Sequence, residues 1–318
     1  MRVLTRNLYL GASLDPITGE PDLAALPARV DEVWAEVVAS DPLGRMEAIA
    51  GEIAAAGPDV VAVQEAARWA GSGAAFDLLE HLLAALGQLG ERYVAAAVVE
   101  TFGGALPASN GEPVTFQDRG AILVREDVRI EAAAGRRYAA ALRLVVGGAE
   151  LDVPRGLVSA VLRVNGLRLR VLATHLELAH WPEVAAVQAA QVSELAALVR
   201  AEALPVLVLG DLNAQPGVRA HGVLAGAEVG LTDAAAAAGD AGLTCCESRD
   251  LRNEASALHE RIDHVLVRGL VPIRVARTAS RTPAGLWSSD HAGVLVDLAD
   301  AGTRSGERPT LISPPAPG

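Results

Sequence analysis

The chain has 318 residues, 51% of them hydrophobic and 21% charged, with a formal net charge of −12, enough to bury a sizeable core in one large α/β domain or two small ones. All 27 basic residues are arginine, which excludes Schiff-base and pyridoxal chemistry on a lysine and the phosphate-loop lysine of nucleotide triphosphatases. The acidic balance argues against extensive nonspecific adhesion to nucleic acid or anionic membrane, while leaving room for a local arginine patch.

The opening "MRVLTRNLYL" alternates like a strand and lacks the apolar core of about 7 to 15 residues found in a signal peptide. No stretch approaches the roughly 18 apolar residues of a membrane span. A cytoplasmic enzyme without a transmembrane segment is the simplest expectation, although a processed secreted form would read the same way. Residues 11–42 read as a polar, Pro-containing insertion with one helical patch in "LAALPARVDEVWAEVV". "RMEAIAGEIAAAG" then has helical spacing and stops at Gly57-Pro58, and "DVVAVQE" follows as an apolar strand ending in Glu65. "RGAILVRE" is strand-like, and "GLVSAVLRVNGLRLRVLATHL" predicts a hairpin turning on Asn165-Gly166. "AAVQAAQVSELAALVRAEA" repeats the helical spacing, and "LPVLVLGD" repeats the apolar strand, ending in Asp211. Two helix-to-strand units thus each deliver an acid at a strand terminus. "RIDHVLVRG" and "DHAGVLVDL" close the pattern, and from residue 299 onward Gly, Ser and Pro predict a disordered tail after a domain of residues 1–298.

In "LVLGDLNAQP" four apolar residues run straight into a carboxylate and a carboxamide. Such a run predicts a strand buried on both faces, of the kind found in a parallel sheet with helices packed on it. An acid where the run stops is placed to face a ligand. Residues i and i+2 of an extended chain point to one side, so Asp211 and Asn213 address one object. The competing reading is an Asx-type turn closed by Pro216. The polar residues at strand ends are Asn7, Glu65, His175, Asp211, Asn213, Asp263, Asp290 and His291. Carboxylates and carboxamides suit Mg²⁺ or Mn²⁺, and the separated histidines, with no H-E-x-x-H motif, argue against zinc. His175 and His180 are five apart and miss the one-face spacing of a helical zinc pair. Asp263 has a duller alternative in pairing with Arg261, and His264, on the opposite strand face, reads as packed. Cys245 and Cys246 are adjacent; ordinary disulfide geometry disfavours a bridge between neighbours, and two thiols cannot alone make a structural zinc site, so they read as small half-buried side chains. A serine hydrolase would need a G-x-S-x-G elbow, which the chain lacks.

The segments "TRN", "VQE", "ATHLE", "GDLNAQP", "RIDHVLV" and "SSDHAGV", in this order and spacing, resemble the endonuclease/exonuclease/phosphatase superfamily over most of residues 1–298. The resemblance implies an α/β fold, a four-layer α-β-β-α sandwich with two central mixed sheets, and metal-dependent hydrolysis of phosphate esters with Mg²⁺ or Mn²⁺. It implies that Glu65 holds the metal with Asn7 beside it, and that Asp211 and Asn213 position or deprotonate the attacking water. His291, oriented by Asp290, and His175 would contact the scissile phosphate, and Asp263 would support the metal or the leaving group. The implied metal set is therefore Glu65, Asn7, Asp263 and Asp290, and the phosphate set is Asn7, His175, Asn213 and His291, joined by one or two arginines such as Arg119. Adjacent strand residues face opposite ways, so an Asp290–His291 bond requires "SSDH" to be a loop ahead of the strand "GVLVDL". Asp211 and the Asp290–His291 pair both stay open as the base.

The substrate is less legible. "VQEAARW" departs from the Gln-Glu-Thr-Lys motif of abasic-site endonucleases, and the Trp-Cys-Asp-Arg signature of inositol-polyphosphate phosphatases is absent near "ERIDHV". The chain looks more like general bacterial phosphodiesterases, including sphingomyelinase-like and deoxyribonuclease-like members. The seven arginines from Arg249 to Arg281 read equally as a phosphate-binding rim or a solvated face. The expected substrate is a compact phosphodiester or phosphomonoester, with nucleic acid not favoured; the alternatives are a deoxyribonuclease-like endonuclease and a noncatalytic binding module on the same scaffold.

Overall fold

Alternate residues of the central strands go to two different cores, and that alternation builds the layers. The computed structural model describes residues 1–303 except Gly19, Pro21, Gly147, His180 and Ala241. The first half contains β1 (Arg2–Asn7), α1 (Asp15–Thr18), α2 (Leu26–Ala39), α3 (Pro42–Ala56), β2 (Val60–Gln64), β3 (Arg68–Gly71), β4 (Ala74–Asp77), α4 (Leu78–Gln88), β5 (Tyr93–Pro107) and β6 (Pro113–Arg125). The long hairpin β7 (Arg129–Val146) and β8 (Ala149–Val164) follows, then β9 (Leu167–His175), α5 (Pro182–Ala201), β10 (Val206–Asp211), α6 (Arg219–Ala225), β11 (Thr232–Asp233) and α7 (Ala234–Ala237). The chain closes with β12 (Asp263–Arg268), β13 (Leu270–Thr278) and β14 (Gly293–Asp300).

The described strands form an eight-stranded sheet in the order β13-β14-β1-β2-β6-β3-β4, with β5 also on β6, and a six-stranded sheet in the order β11-β12-β10-β9-β8-β7. Each is mixed: β1 runs parallel to β2 and β9 parallel to β10, while the other pairs are antiparallel. Val60 and Ala62 of β2 meet Leu207 and Leu209 of β10 in the core between the sheets. Their neighbours point outward, Val61 and Val63 against Ile49 and Ile53 of α3 and Leu82 of α4, Val206 and Val208 against Leu195 and Val199 of α5. The period-2 pattern therefore yields the four-layer α-β-β-α sandwich. β10 is buried throughout, as its apolar run predicts, but its second face packs on another sheet rather than on a second helical layer.

Local signals place the helices and turns. α3 begins with Asp41, whose carboxylate accepts from Gly44 N at 3.2 Å, has Pro in its first turn, and ends at Gly57 in the left-handed region. Val164 pairs with Leu167, and Asn165 (φ 49°) with Gly166 (φ 83°) makes the two-residue turn expected of Asn-Gly. The helical patch of the 11–42 insertion is α2. β14 runs to Asp300 and Ala301–Thr303 forms a 3₁₀ turn, so ordered structure continues past residue 298; the remainder of the expected tail, like His180, lies outside the described residues. The side chains of Cys245 and Cys246 lie against each other, Cys245 buried. Among the described residues no helix is long and apolar enough to cross a membrane.

Gly210 sits where β9 and β10 come closest. Its φ is +148°, and a Cβ there would overlap the Thr174 carbonyl. Gly210→Ala should therefore destabilise the fold by about 1–3 kcal/mol through overpacking and backbone strain. Urea unfolding checks this; an unchanged midpoint would mean that β9 and β10 move apart freely.

Candidate active site

The strand directions bring the expected residues to one edge of the sandwich. β1, β2, β9 and β10 end there with Asn7, Glu65 just past Gln64, His175 and Asp211. β12 and β14 run antiparallel to these strands, so Asp263, at the start of β12, and the Ser288–His291 loop before β14 arrive at the same edge. Asp211 lies beside His175 on one side and Asp263 on the other.

The focal atom is Asp211 Oδ2. Asn7 Nδ2 donates to it at 3.2 Å, and the Nε2 atoms of His175 and His291 stand 3.6 and 3.9 Å away. Asp211 Oδ1 accepts from Asn213 N at 2.8 Å. Asn213 has φ 47° and turns its amide onto His175 Nε2 and Leu176 O, at 3.1 and 2.8 Å. The Asx turn and the shared target are thus the same structure. Gln188 of α5 fixes that turn from behind, donating to Glu177, Leu212 and Asn213 carbonyls.

Glu65 also occupies the left-handed region, at φ 55°, which folds its carboxylate back over the edge. Oε1 accepts from Asn7 Nδ2 at 3.0 Å and Oε2 from Leu10 N at 2.7 Å. Asn7 directs its nitrogen to both carboxylates while its oxygen accepts from Tyr9 N at 2.9 Å. It therefore bridges Glu65 and Asp211.

Burial and mutual repulsion govern the charges. Burial, then Asp263, pushes Asp211 up to about 7. Burial, then Asp290, raises Glu65, and burial chiefly raises Asp290. Burial alone would lower His291, but Asp263, Asp290 and Asp211 hold it well above the ordinary histidine value. Burial, Arg155 and His291 hold His175 well below it. At neutral pH the site thus contains an imidazolium at His291 and a neutral imidazole at His175.

Several expectations need correction. "SSDH" is a loop, as required, yet His291 Nδ1 bonds to Asp263 Oδ2 at 2.8 Å rather than to Asp290, because the loop turns the ring toward β12. Asp263 Oδ2 thus orients His291, while Asp263 Oδ1 is buried without a hydrogen-bond partner, and Asp211, Asp263 and His291 lie close enough together to hold a metal ion. Asp290 instead acts on Glu65, which it raises electrostatically. Arg119 is 4% exposed and donates to Ala66 O and Asp77, so it cannot reach a phosphate. Five of the seven arginines from 249 to 281 are engaged elsewhere: Arg261 is buried on Asp233, Arg277 pairs with Asp240, Arg249 with Asp15, Arg268 caps Glu202 O, and Arg281 stacks 3.9 Å over Trp287. Arg261 therefore takes Asp233 and not Asp263, and His264 is packed, bonding Ala214 O at 2.8 Å.

Three buried arginines escaped sequence reasoning. Arg155 pairs with Glu177 at 3.0 Å and lies 3.2 Å from His175 Nδ1, supplying the positive charge assigned to Arg119. Arg6 donates to His291 O and to Ser288 Oγ, and pairs with Glu52 at 3.1 Å. Arg45, on α3, donates to Ser40 O, Leu8 O and Tyr9 O and is pushed down to about 10 by burial. In a chain whose cations are all arginine, nothing local separates these from surface arginines.

The endonuclease/exonuclease/phosphatase family matches residues 29–291. The chain belongs to that family. An endonuclease/exonuclease/phosphatase from Beutenbergia cavernae is 20% identical, with a TM-score of 0.62 over 94% of this chain and 71% of that one. The mannosyl-6-phosphatase Bt3783 of Bacteroides thetaiotaomicron is 16% identical, with a TM-score of 0.56 over 94% and 99% of the two chains. Truncated Caenorhabditis elegans TDP2 is 19% identical, with a TM-score of 0.54 over 93% and 95%. At such identities the likeness is one of fold. No curated protein matches the chain.

Arg45→Met should leave four carbonyls, those of Ser40, Leu8, Tyr9 and Ser288, without their donor and remove a cation that favours ionised Asp290, costing about 3–5 kcal/mol. Chemical denaturation reads the loss; a cost below about 1 kcal/mol would mean that water replaces the guanidinium.

Proposed function

We propose that the chain is a divalent-cation-dependent phosphoric ester hydrolase, acting on a compact phosphodiester or phosphomonoester by in-line attack of water. The observation that carries this reading is the convergence of Asn7, His175 and His291 on Asp211 Oδ2, beside a second acidic pair, Glu65 and Asp290. The residues fit a metal. Burial and then Asp290 raise Glu65, while burial and Asp263 raise Asp290, and a cation held by Glu65 and Asp290 would offset that penalty. An all-oxygen donor pair suits Mg²⁺ or Mn²⁺ better than zinc. Such a cation, when bound, supplies charge compensation to the phosphoryl oxygens.

The chain's own residues supply the rest. Asp211, held by Asn213 N–H and the Asn7 amide, orients water and accepts its proton, a role that suits a carboxylate raised to about 7. His291, fixed by Asp263, offers its Nε2 proton to a phosphoryl oxygen, where a preorganised donor acts mainly on the transition state. Asn213 and Arg155 hold the neutral His175 ring, which contacts the same phosphate. A binding module would not require a complete and mutually bonded set of these groups. The net charge of −12 and the engagement elsewhere of five of the seven arginines from 249 to 281 favour a small ester over tracked DNA, and the shared fold of a mannosyl-6-phosphatase is consistent with this.

Hydrolysis of a chromogenic phosphodiester should stop with chelator and return with Mg²⁺ or Mn²⁺; activity indifferent to chelator would end the metal-dependent reading. Glu65→Ala and Asp290→Asn should raise the metal concentration needed for half-maximal rate, whereas Asp263→Asn should lower kcat at an unchanged metal requirement. Asp211→Asn and His291→Ala should each lower kcat by about 10²-fold or more with the fold retained, and unchanged turnover would remove that residue from the mechanism. Plasmid nicking across a salt series at fixed Mg²⁺ tests the substrate size: efficient nicking with a steep salt slope would favour the deoxyribonuclease-like reading.

A further inference from the structure

Beside the acidic edge lies an apolar cavity of about 240 Å³ that the proposed hydrolysis does not use. Ile17 and Val33 of the 11–42 insertion, the aromatic rings of Trp69, Phe102 and Phe116, and Leu151 of the β7–β8 hairpin line it. The chain has only 3 phenylalanines, and Phe102 and Phe116 both line this space. Aromatic surface so concentrated, in a chain this poor in it, suits a ligand surface. The polar side chains of the wall are Thr18 and Asp152, and Asp152 faces Arg143 at 3.4 Å, so the cavity offers nothing to a second phosphate.

The cavity is joined to the site by backbone. Trp69 Nε1 donates to Leu10 O at 2.9 Å, and Leu10 N donates to Glu65 Oε2 at 2.7 Å. Thr101 bonds Asp118 at 2.7 Å, and both line one small space with Glu65 and His175. The next residue of β5, Phe102, already faces the cavity, as does Phe116, two residues from Asp118 on β6. A strand advances about 3.3 Å per residue, so the apolar wall begins within one or two residues of groups that share a space with Glu65.

We propose that this cavity receives the apolar group esterified to the substrate's phosphate, making the enzyme selective for phosphoesters of an aryl or medium-chain alkyl alcohol. The inference rests on the phosphohydrolase reading above. The volume exceeds the roughly 150 Å³ of an apolar cavity that holds benzene, which allows a ring or a chain of about six carbons.

A homologous series of methyl alkyl phosphodiesters without an aryl group, methyl to octyl, read by release of the alcohols, tests it with the full chain at saturating Mg²⁺. For the unaltered protein kcat/KM should rise about two- to fourfold per methylene and level off near hexyl. Leu151→Asp, on the half-exposed hairpin wall, and Ala105→Trp, which fills the cavity, should flatten the series while leaving the methyl ester rate unchanged. A flat series in the unaltered protein, or the same slope in both variants, would overturn the assignment. Calorimetric binding of hexyl against methyl phosphate separates the two readings: chain-length-dependent binding without hydrolysis would sink the enzyme and keep the cavity, and equal binding would sink the cavity alone.

Discussion

Everything at the working edge of this protein is arranged around one electrostatic constraint, the packing of Glu65, Asp211, Asp263 and Asp290 into a small, largely buried space. Like charges withdrawn from water destabilise one another strongly unless each finds a donor or a counter-charge. The protein meets this by placing His291 between Asp263 and Asp211, by using one carboxamide to bridge Glu65 and Asp211, and by running Arg45 behind the Asp290 loop. Glu65 and Asp290, which burial raises despite these partners, are the pair assigned to the cation. Stability and chemistry draw here on the same charges.

The topology makes such crowding possible. Parallel pairs at the centre of each sheet end together, and antiparallel neighbours begin where those pairs end. Six chain segments separated by up to 284 positions, from Asn7 to His291, therefore meet without long excursions. The closeness of β9 and β10 depends on a residue without a side chain at position 210, and α5 sets the turn that follows through Gln188.

The layers and the acids at strand ends were legible because they are expressed in short-range signals. The apolar run before Asp211, the Asn165-Gly166 turn and the Gly57 stop each follow from local backbone physics. The partnership of His291 was not legible in this way. Asp290 is its neighbour in sequence and Asp263 is 28 residues away, and only the curvature of the Ser288–His291 loop decides between them. Arg119 and Arg155 were interchangeable for the same reason. Both occur near strands that reach the site, and which of them faces His175 depends on sheet register, a property of pairs of strands rather than of either alone.

The insertion of residues 11–42 and the far ends of the β5–β6 and β7–β8 hairpins are the segments that wall the aromatic space. None of them supplies a carboxylate to the acidic edge, which hangs from the central strands and their immediate loops. Surface connections lengthen at small entropic cost, rising only with the logarithm of loop length. The framework is thus divided like a tool with a fixed blade and a replaceable guide: relatives of this chain can diverge in the wrapping segments, in length as well as in sequence, and acquire a different clientele while the cutting edge stays as it is.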